Sequence, residues 1–245
     1  MSAERRDRRR RRAGRARWTS GTPGDVRSAG VRGSRRLRGR FTASTLPIMA
    51  KIHAVATLTP HFRDFLPLWV SRQPWYLGTG IPSLSPIGFI RFEDPAGEVG
   101  IETHLVTDGS AIYQIPMTYR GAPIENAGAE ALITTAEHSV LGTRWIYDGE
   151  ADPVWISEVL RLVRTNGTAD LGHEKGARKA YAQGRHVMPG ELTGDAVTIE
   201  LRRALTVDPP SGEPDIVGLM TGTWYPNGPD AAVATGCLAV VRQSG

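Results

Sequence analysis

Four residues early in the ordered-looking sequence could bind a ligand: Trp69, Arg72, Trp75 and Tyr76. Clustered aromatic rings with an arginine can bind a sugar, because the rings stack on it and the guanidinium donates paired hydrogen bonds. They could also form a contact with a partner protein. In the alternative interpretation, Trp69 and Trp75 fix a helix against a sheet, and Arg72 lies near the carbonyls at the helix end. The tendency of tryptophan to be buried favours this structural interpretation.

The other residues with catalytic chemistry lack the spacing of a known site. His173, Glu174 and His186 form no metal-binding pattern. Glu137 and His138 could exchange a proton, but no third partner is evident, and such a pair is more typical of a surface turn or cap. The sequence contains no glycine-rich phosphate loop, GxSxG motif or HExxH motif. We therefore predict no catalytic, cofactor-binding or metal-binding residue.

Charge is divided unevenly along the 245 residues. Residues 1–48 contain 15 Arg, no Lys and 3 acidic residues, a net charge of +12, and the remaining residues carry a net charge of −7. We expect residues 1–48 to be disordered, because they hold too few apolar side chains to form a core. We hypothesise that Met49 is the true start and that the leader is a translated upstream region. Binding of nucleic acid is expected only if residues 1–48 belong to the real protein.

The remaining composition is typical of a cytoplasmic protein. Cys237 is the one cysteine, so no intramolecular disulfide can form, and its apolar neighbours predict a buried thiol. No apolar run approaches the length of a membrane helix, which is about 20 residues. We therefore expect no membrane partner.

Periodicity predicts many strands and few helices. Thr59 and Pro60 are typical of a helix start, and Pro67 must kink or split that helix. Asp152 and Pro153 are predicted to begin a second helix that ends at Asn166-Gly167. Residues 168–190 are interpreted as polar and irregular. The predicted strands are 51–58, 85–93, 98–107, 110–123, 143–147, 197–207, 216–225 and 231–242.

Residues 110–123 are predicted to be the central element. Asp108-Gly109 is interpreted as a two-residue hairpin turn just before them, so 85–93, 98–107 and 110–123 form a meander. His104 is expected to be solvated on the strand face opposite Leu105. Pro116 cannot donate to a ladder, so we expect it at a bulge or where the strand leaves the sheet. The element order predicts the α+β class with an antiparallel sheet.

Three segments resemble a known family in their order and spacing. They are LWVSRQPWYLG at residues 68–78, YQIPMTYR at residues 113–120, and LGTRWIYDG at residues 141–149, which precedes the Asp152-Pro153 helix. Over residues 50–165 the chain resembles the N-terminal cap domain of actinobacterial maltokinases and related aminosugar kinases. This resemblance implies a cystatin-like cap, in which a curved antiparallel sheet has one or two helices packed on it and further antiparallel strands follow.

The resemblance does not extend to the kinase catalytic region. In that family the catalytic lobes supply an ATP-binding lysine, a catalytic aspartate loop and a metal-binding aspartate. About 80 residues follow residue 165 here, without an HxD-x-N-like loop or a following metal motif. We predict three regions: the leader at 1–48, a cap-like domain at 49–165 and an additional antiparallel β subdomain at 166–245 packed on the cap.

The expected function is binding without catalysis, in maltose, trehalose or α-glucan metabolism. The ligand would be a partner enzyme or a sugar, and no cofactor is expected. One alternative is a subunit of a sugar kinase whose site is completed in trans. A second alternative is a nucleic-acid-associated protein that acts through the arginine-rich leader.

Overall fold

Two antiparallel sheets and two helices make up the fold. The structure is a computed structural model that describes residues 56–169, 180–188, 192, 197–206, 215–227 and 232–243. The helices are α1 (Phe62–Val70) and α2 (Pro153–Thr165). The strands are β1 (Leu58–Thr59), β2 (Ser85–Phe92), β3 (Gly100–Thr107), β4 (Ile112–Arg120), β5 (Leu132–His138), β6 (Gly142–Asp148), β7 (Ala180–His186), β8 (Val197–Leu201), β9 (Ile216–Trp224) and β10 (Ala234–Gln243).

Six strands form the first sheet, in the order β1-β5-β6-β4-β3-β2. The other four form a second sheet in the order β7-β9-β10-β8, and the strand pairs of both sheets are antiparallel. The first sheet is curved, and helices pack on it. The predicted α+β class and curved antiparallel architecture are therefore confirmed.

The predicted meander is formed by β2, β3 and β4, which are neighbours in the first sheet. Its second turn is longer than predicted, because Thr107 pairs with Ile112 and four residues lie between them. Asp108 Oδ1 accepts hydrogen bonds from the backbone N–H groups of Ser110 and Ala111 at 2.8 and 2.9 Å. This carboxylate closes the wider turn, so the two-residue hairpin was wrong in length.

Pro116 lies in the middle of β4, opposite Thr103 of β3, without a shift of register between these two strands. Of the two positions expected for Pro116, a bulge in that ladder is therefore excluded. On its other edge, β4 pairs with β6 only from Met117 onward. The backbone N–H of Gln114 instead donates to the carbonyl of Arg203 at 2.9 Å. Pro116 thus occupies the point where β4 changes partner, where a missing donor costs little.

Helix α1 begins later than the sequence indicates. Thr59 belongs to β1 and pairs with Glu137, and its bond to Pro60 is cis. His61 is the N-cap: its Nδ1 accepts from the N–H of Arg63, and Asp64 accepts from the N–H of His61. This reciprocal capping box replaces the predicted Thr59 cap.

Pro67 lies within α1, and the helix continues through it from Phe62 to Val70. Of the two outcomes predicted at Pro67, a kink or a split, the split is therefore excluded. Leu66, Trp69 and Val70 are buried against one face of the first sheet, together with Tyr113, Ile115 and Met117 of β4. This apolar face of β4 is thus the surface on which α1 packs.

His104 was expected to be solvated but is 9% exposed. Its ring centroid lies 4.9 Å from that of Phe62, and its Nε2 lies 3.4 Å from Glu102 Oε2. The first residue of α1 therefore covers this part of β3, a contact that strand alternation alone cannot predict. Burial opposes ionisation of Glu102, but the contacts with His104 and Arg91 outweigh it and hold the pKa of that carboxyl below its usual range.

Helix α2 begins and ends as predicted. The Asp152 side chain accepts from the N–H of Val154, Pro153 occupies the first turn, and Asn166 closes the helix in the left-handed conformation. Arg120 of β4 also donates two hydrogen bonds to the Asp152 carboxylate, both at 2.7 Å. The fully buried Asp152 side chain therefore joins the start of α2 to the end of β4.

We expect this carboxylate to contribute to acid sensitivity. Burial opposes ionisation of Asp152, but the Arg120 hydrogen bonds outweigh it and lower its pKa. Its stabilising contribution is therefore complete above the pKa of an unfolded aspartate, about 3.9, and is lost as the pH falls through the lower folded value. Urea unfolding should show the stability gap between the native chain and Asp152→Asn shrinking from pH 7 to pH 3. A gap independent of pH would contradict this assignment.

The second sheet changes two sequence-based expectations. The interpretation of 168–190 as irregular was wrong for its described part, because β7 (Ala180–His186) pairs with β9. The predicted strand 197–207 was too long, because β8 ends at Leu201 and the chain then crosses to β4. The β9–β10 hairpin is confirmed. Residues 51–55, most of the first predicted strand, lie outside the described residues, as do the leader, His173 and Glu174.

One hydrophobic core joins the two sheets. It contains Ile101 and Leu105 from β3, Trp155 from α2, Met220 from β9 and Leu238 from β10. Cys237 lies nearby at 3% exposure, which confirms the predicted buried thiol, and burial raises its pKa. The first sheet thus has α1 on one face, and α2 with the second sheet on the other. The division of the chain at residues 48 and 165 remains a prediction.

Candidate functional site

An open groove of about 810 Å³ lies between the end of α1 and strand β5. We call it the α1–β5 groove. One wall comes from α1 and the turn after it, a second from the start of β5, and the third from the end of β6. Its lining residues are Phe65, Leu68, Trp69, Arg72, Gln73, Pro74, Ala129, Glu130, Ala131, Leu132, Ile133, Thr134, Asp148, Glu150 and Ala151.

A hydrogen-bonded turn at the end of α1 positions the first wall. The backbone N–H of Arg72 donates to the Trp69 carbonyl at 3.1 Å, and Gln73 Nε2 donates to the same carbonyl at 3.1 Å. The last carbonyls of a helix otherwise lack partners, so these bonds satisfy them. The exposed Arg72 side chain is thereby placed at the groove.

Aromatic rings form a row behind this wall. The Trp69 and Trp75 ring centroids are 5.7 Å apart, and Trp75 and Tyr76 lie 6.0 and 5.6 Å from Tyr113. These rings belong to the buried face between α1 and β4. The row therefore ties the segment after α1 to the centre of the first sheet.

The four candidate contact residues from the sequence are thus divided between two places. Trp69 and Arg72 line the α1–β5 groove, although the Trp69 residue is only 8% exposed. Trp75 and Tyr76 do not line it and pack against Tyr113 instead. Their role as one sugar or partner contact remains a prediction.

The cation that stacks on Trp75 is Arg203, which sequence reasoning did not select. Its guanidinium carbon lies 5.1 Å from the Trp75 ring centroid, and the residue is 7% exposed. Arg203 Nη2 donates to Asp148 Oδ2 at 2.5 Å and also to Glu150. A buried guanidinium between two carboxylates and an aromatic ring fixes the third wall of the groove.

Burial determines the electrostatics of this wall. It raises the pKa of the Asp148 carboxyl above its usual range, and the nearby Arg203 opposes that shift without cancelling it. Asp148 Oδ1 and Arg203 Nη1 are both buried without a hydrogen-bond partner among the described residues. The wall is therefore a partly desolvated charge cluster whose geometry depends on Arg203.

The backbone around Arg203 is also bound to β4. Ala204 bridges to Tyr113, and the N–H of Leu205 donates to the Ile112 carbonyl at 2.7 Å. The Gln114 side chain donates to the carbonyls of Arg202 at 2.6 Å and Leu238 at 2.5 Å. The segment after β8 thus holds the third wall of the groove through Arg203, although Arg203 does not itself line the groove.

Glu137 and His138, the other candidate polar pair, are the last two residues of β5 and make local hydrogen bonds. His138 Nδ1 accepts from the N–H groups of Val140 and Leu141, and Glu137 accepts from the Thr143 hydroxyl. Within the described ranges, no group of three or more His, Cys, Asp and Glu residues is arranged to hold a metal ion. No helix in that part of the chain is long and apolar enough to cross a membrane.

The described residues thus form an α+β fold with an aromatic row between α1 and β4. Residues 69–152 match the family model described as the maltokinase N-terminal cap domain. The match begins at Trp69 and ends at Asp152, so it contains the aromatic row, β2 to β6 and the cap of α2. It confirms the resemblance for this segment and relates the chain to maltokinases through it. Arg203 lies outside the matched residues.

Proposed function

We propose that this chain is a cap-like binding protein of maltose, trehalose or α-glucan metabolism that does not transfer phosphate by itself. It would act in the cytoplasm by binding a partner enzyme. The observation that carries the proposal is the match of residues 69–152 to the maltokinase cap, because this segment supplies most of the α1–β5 groove. Among the described residues outside this segment, Phe65 and Leu68 are the ones that line the groove.

The same match supports a second candidate, a subunit of a sugar kinase completed in trans. A kinase subunit would need a partner to supply the metal and charge stabilisation of phosphoryl transfer. This candidate predicts that the chain alone does not turn over ATP and that the complex does.

A sugar is the alternative ligand of the groove. Arg72, Gln73 and Glu150 could hydrogen-bond sugar hydroxyls. Stacking is less favoured, because Trp69 is only 8% exposed. A partner protein therefore fits the groove better than a sugar does.

The partner proposal is tested by tagging the chain in its native cell and identifying the enzymes that copurify with it. An enzyme acting on α-glucosides should be recovered, and calorimetry with the purified pair should give a dissociation constant. Leu68→Glu should weaken binding by about tenfold, because it places a charge on an exposed apolar residue that lines the groove. Arg164→Glu is the matched control, since Arg164 is exposed on α2, at the other face of the sheet.

Three titrations of the purified full chain separate the candidates. Mg-ATP should give no heat, and heat accompanied by sugar phosphorylation would overturn the non-catalytic proposal. Maltose, maltotriose and trehalose should leave the tryptophan fluorescence unchanged, whereas saturable quenching lost in Arg72→Ala would favour a sugar ligand. Phosphorylation only after addition of the partner would favour the kinase subunit.

A further inference from the structure

We propose that the α1–β5 groove binds an extended peptide segment of the partner enzyme, which adds as a strand to the outer edge of β5. The inference rests on the proposed function and names the surface and the chemistry of the contact. It requires a free strand edge, an apolar wall beside it and complementary charge at the groove.

The free edge results from the shortness of β1. This strand pairs with β5 only at Glu137 and His138. Residues 132–136 therefore have no strand neighbour on that edge among the described residues. An unpaired edge presents alternating N–H and C=O groups that another strand can bind, with a spacing of about 4.8 Å between strands.

The alternation of backbone groups along β5 identifies one that faces the unpaired edge. The N–H of Ser139 donates to the carbonyl of Thr57, in the chain just before β1, at 2.9 Å. Successive residues of a strand point their backbone groups to opposite edges, so Glu137 and Thr135 face the same edge as Ser139. Because β1 stops at the level of Glu137, the N–H of Thr135 is directed to the unpaired edge.

An apolar wall lies beside this edge. Leu68 of α1 is 43% exposed although it lines the groove, and Phe65 and Ile133 are partly buried there. Alternate side chains of an added strand would point to this wall and cover it. The exposed position of Leu68 is explained if a partner completes its environment.

Charge favours a basic peptide. The ionisable lining residues are Arg72, Glu130, Asp148 and Glu150. Arg203 pairs with Asp148, the last residue of β6, and with Glu150 just after it. Glu130 is exposed at the start of β5 and can pair with a lysine or arginine of the incoming segment. We therefore infer a segment with alternating apolar residues and at least one basic residue.

The inference is tested by selecting binders from a displayed library of short random peptides, with the full chain as target. Enriched peptides should alternate apolar residues and contain lysine or arginine. On binding, hydrogen exchange should slow at residues 132–136. Failure to enrich any peptide, or protection elsewhere only, would overturn the inference.

Variants then locate the contact by fluorescence anisotropy of a labelled selected peptide. Leu68→Gln, Glu130→Gln and Thr135→Pro should each weaken binding by about tenfold, since they remove apolar, charged and backbone contacts respectively. Proline is tolerated at an unpaired edge, and circular dichroism confirms that each variant is folded. Val140→Gln is the matched control, because Val140 is 58% exposed at the β5–β6 turn and does not line the groove. Equal effects of all four variants would overturn the inference.

Competition distinguishes this inference from the proposed function. The selected peptide should displace the copurified enzyme from the chain. If the enzyme binds without displacement, the partner proposal stands and strand addition at β5 is wrong. If no enzyme binds but peptides bind the groove, the proposed function is wrong and the strand-addition site stands. Concentration-dependent dimerisation that is lost in Leu68→Gln would assign the edge to a second copy and overturn the inference.

Discussion

Replacing Arg203 by methionine is expected to lower the free energy of unfolding by about 3–5 kcal/mol. The substitution keeps an unbranched apolar stem but removes the cation between Asp148 and Glu150. A carboxylate that is mostly buried then lacks its partner, and Trp75 loses the guanidinium above its ring. Urea unfolding at pH 7 measures the effect.

Arg202→Met is the matched control for this measurement. Arg202 is the preceding residue, its side chain is 35% exposed, and it pairs with Glu200. An ion pair of this kind contributes about 0–1 kcal/mol. Similar losses in the two variants would show that Arg203 does not fix the wall of the groove.

The loss of unfolding free energy in Arg203→Met should also depend on pH. Burial already raises the pKa of Asp148, and removal of the opposing Arg203 raises it further. The unpaired carboxyl is then protonated more readily in the folded state than in the unfolded state. The folded variant therefore regains stability as the pH falls from 7 through that raised pKa. Asp148→Asn in the same background should remove this pH dependence.

Gly184→Ala is the second substitution with a large expected effect. A Cβ at Gly184 would lie 2.2 Å from the carbonyl carbon and oxygen of Leu162 in α2. Backbone atoms of a packed helix cannot move as a side chain tip can, so β7 must separate from α2. The N–H of Gly184, which donates to the Gly167 carbonyl at 2.8 Å, would lose this bond. We expect a loss of about 3 kcal/mol or more in unfolding free energy.

Gly100→Ala is its control within a strand. A Cβ there would lie 3.4 Å from Tyr119 Cβ, which is an ordinary contact. Its unfolding midpoint in urea should therefore remain close to that of the native chain. If Gly184→Ala has an equally small effect, then β7 is not held in direct contact with the α2 backbone.

The predictable parts of the fold are those with local signals. Strand alternation in β3 and β4 and the Asp152 cap of α2 depend on residues close in sequence, and the structure contains them. The α1 start was wrong because two adjacent signals competed, and the His61–Asp64 capping box replaced the Thr59-Pro60 pattern. Signals between residues close in sequence thus predict the existence of an element more reliably than they predict its first residue.

The missed parts depend on contacts between distant segments. The sequence of β7 lacks a clear strand pattern because Ala180, Ala182 and Gly184 are small. These three positions are where the strand packs against α2. In the sequence, Arg203 is a charged residue that interrupts an apolar strand pattern, and its partner Asp148 is 55 residues away. That interruption was the available signal, since a charge within an apolar pattern indicates a buried pair when a partner exists.

The distance in sequence between contacting residues also explains why the four candidate contact residues lie in two places. Trp69 and Arg72 were predicted from composition, and both line the groove. Trp75 points inward, where its ring contacts the Tyr113 ring and the Arg203 guanidinium. Sequence spacing identified the aromatic cluster, but it could not identify which rings face outward.

The bond between β4 and the segment after β8 has a consequence for synthesis of the chain. Gln114 and Arg202 are 88 residues apart, so the ribosome must add that length before this part of β4 can acquire the partner on its second edge. At about 5–20 residues per second, this edge of the central strand stays open for roughly 5–20 s. Exposed strand edges during this interval favour association between nascent chains. Proline at position 116 removes one donor from that edge, and it protects the strand while the chain is incomplete.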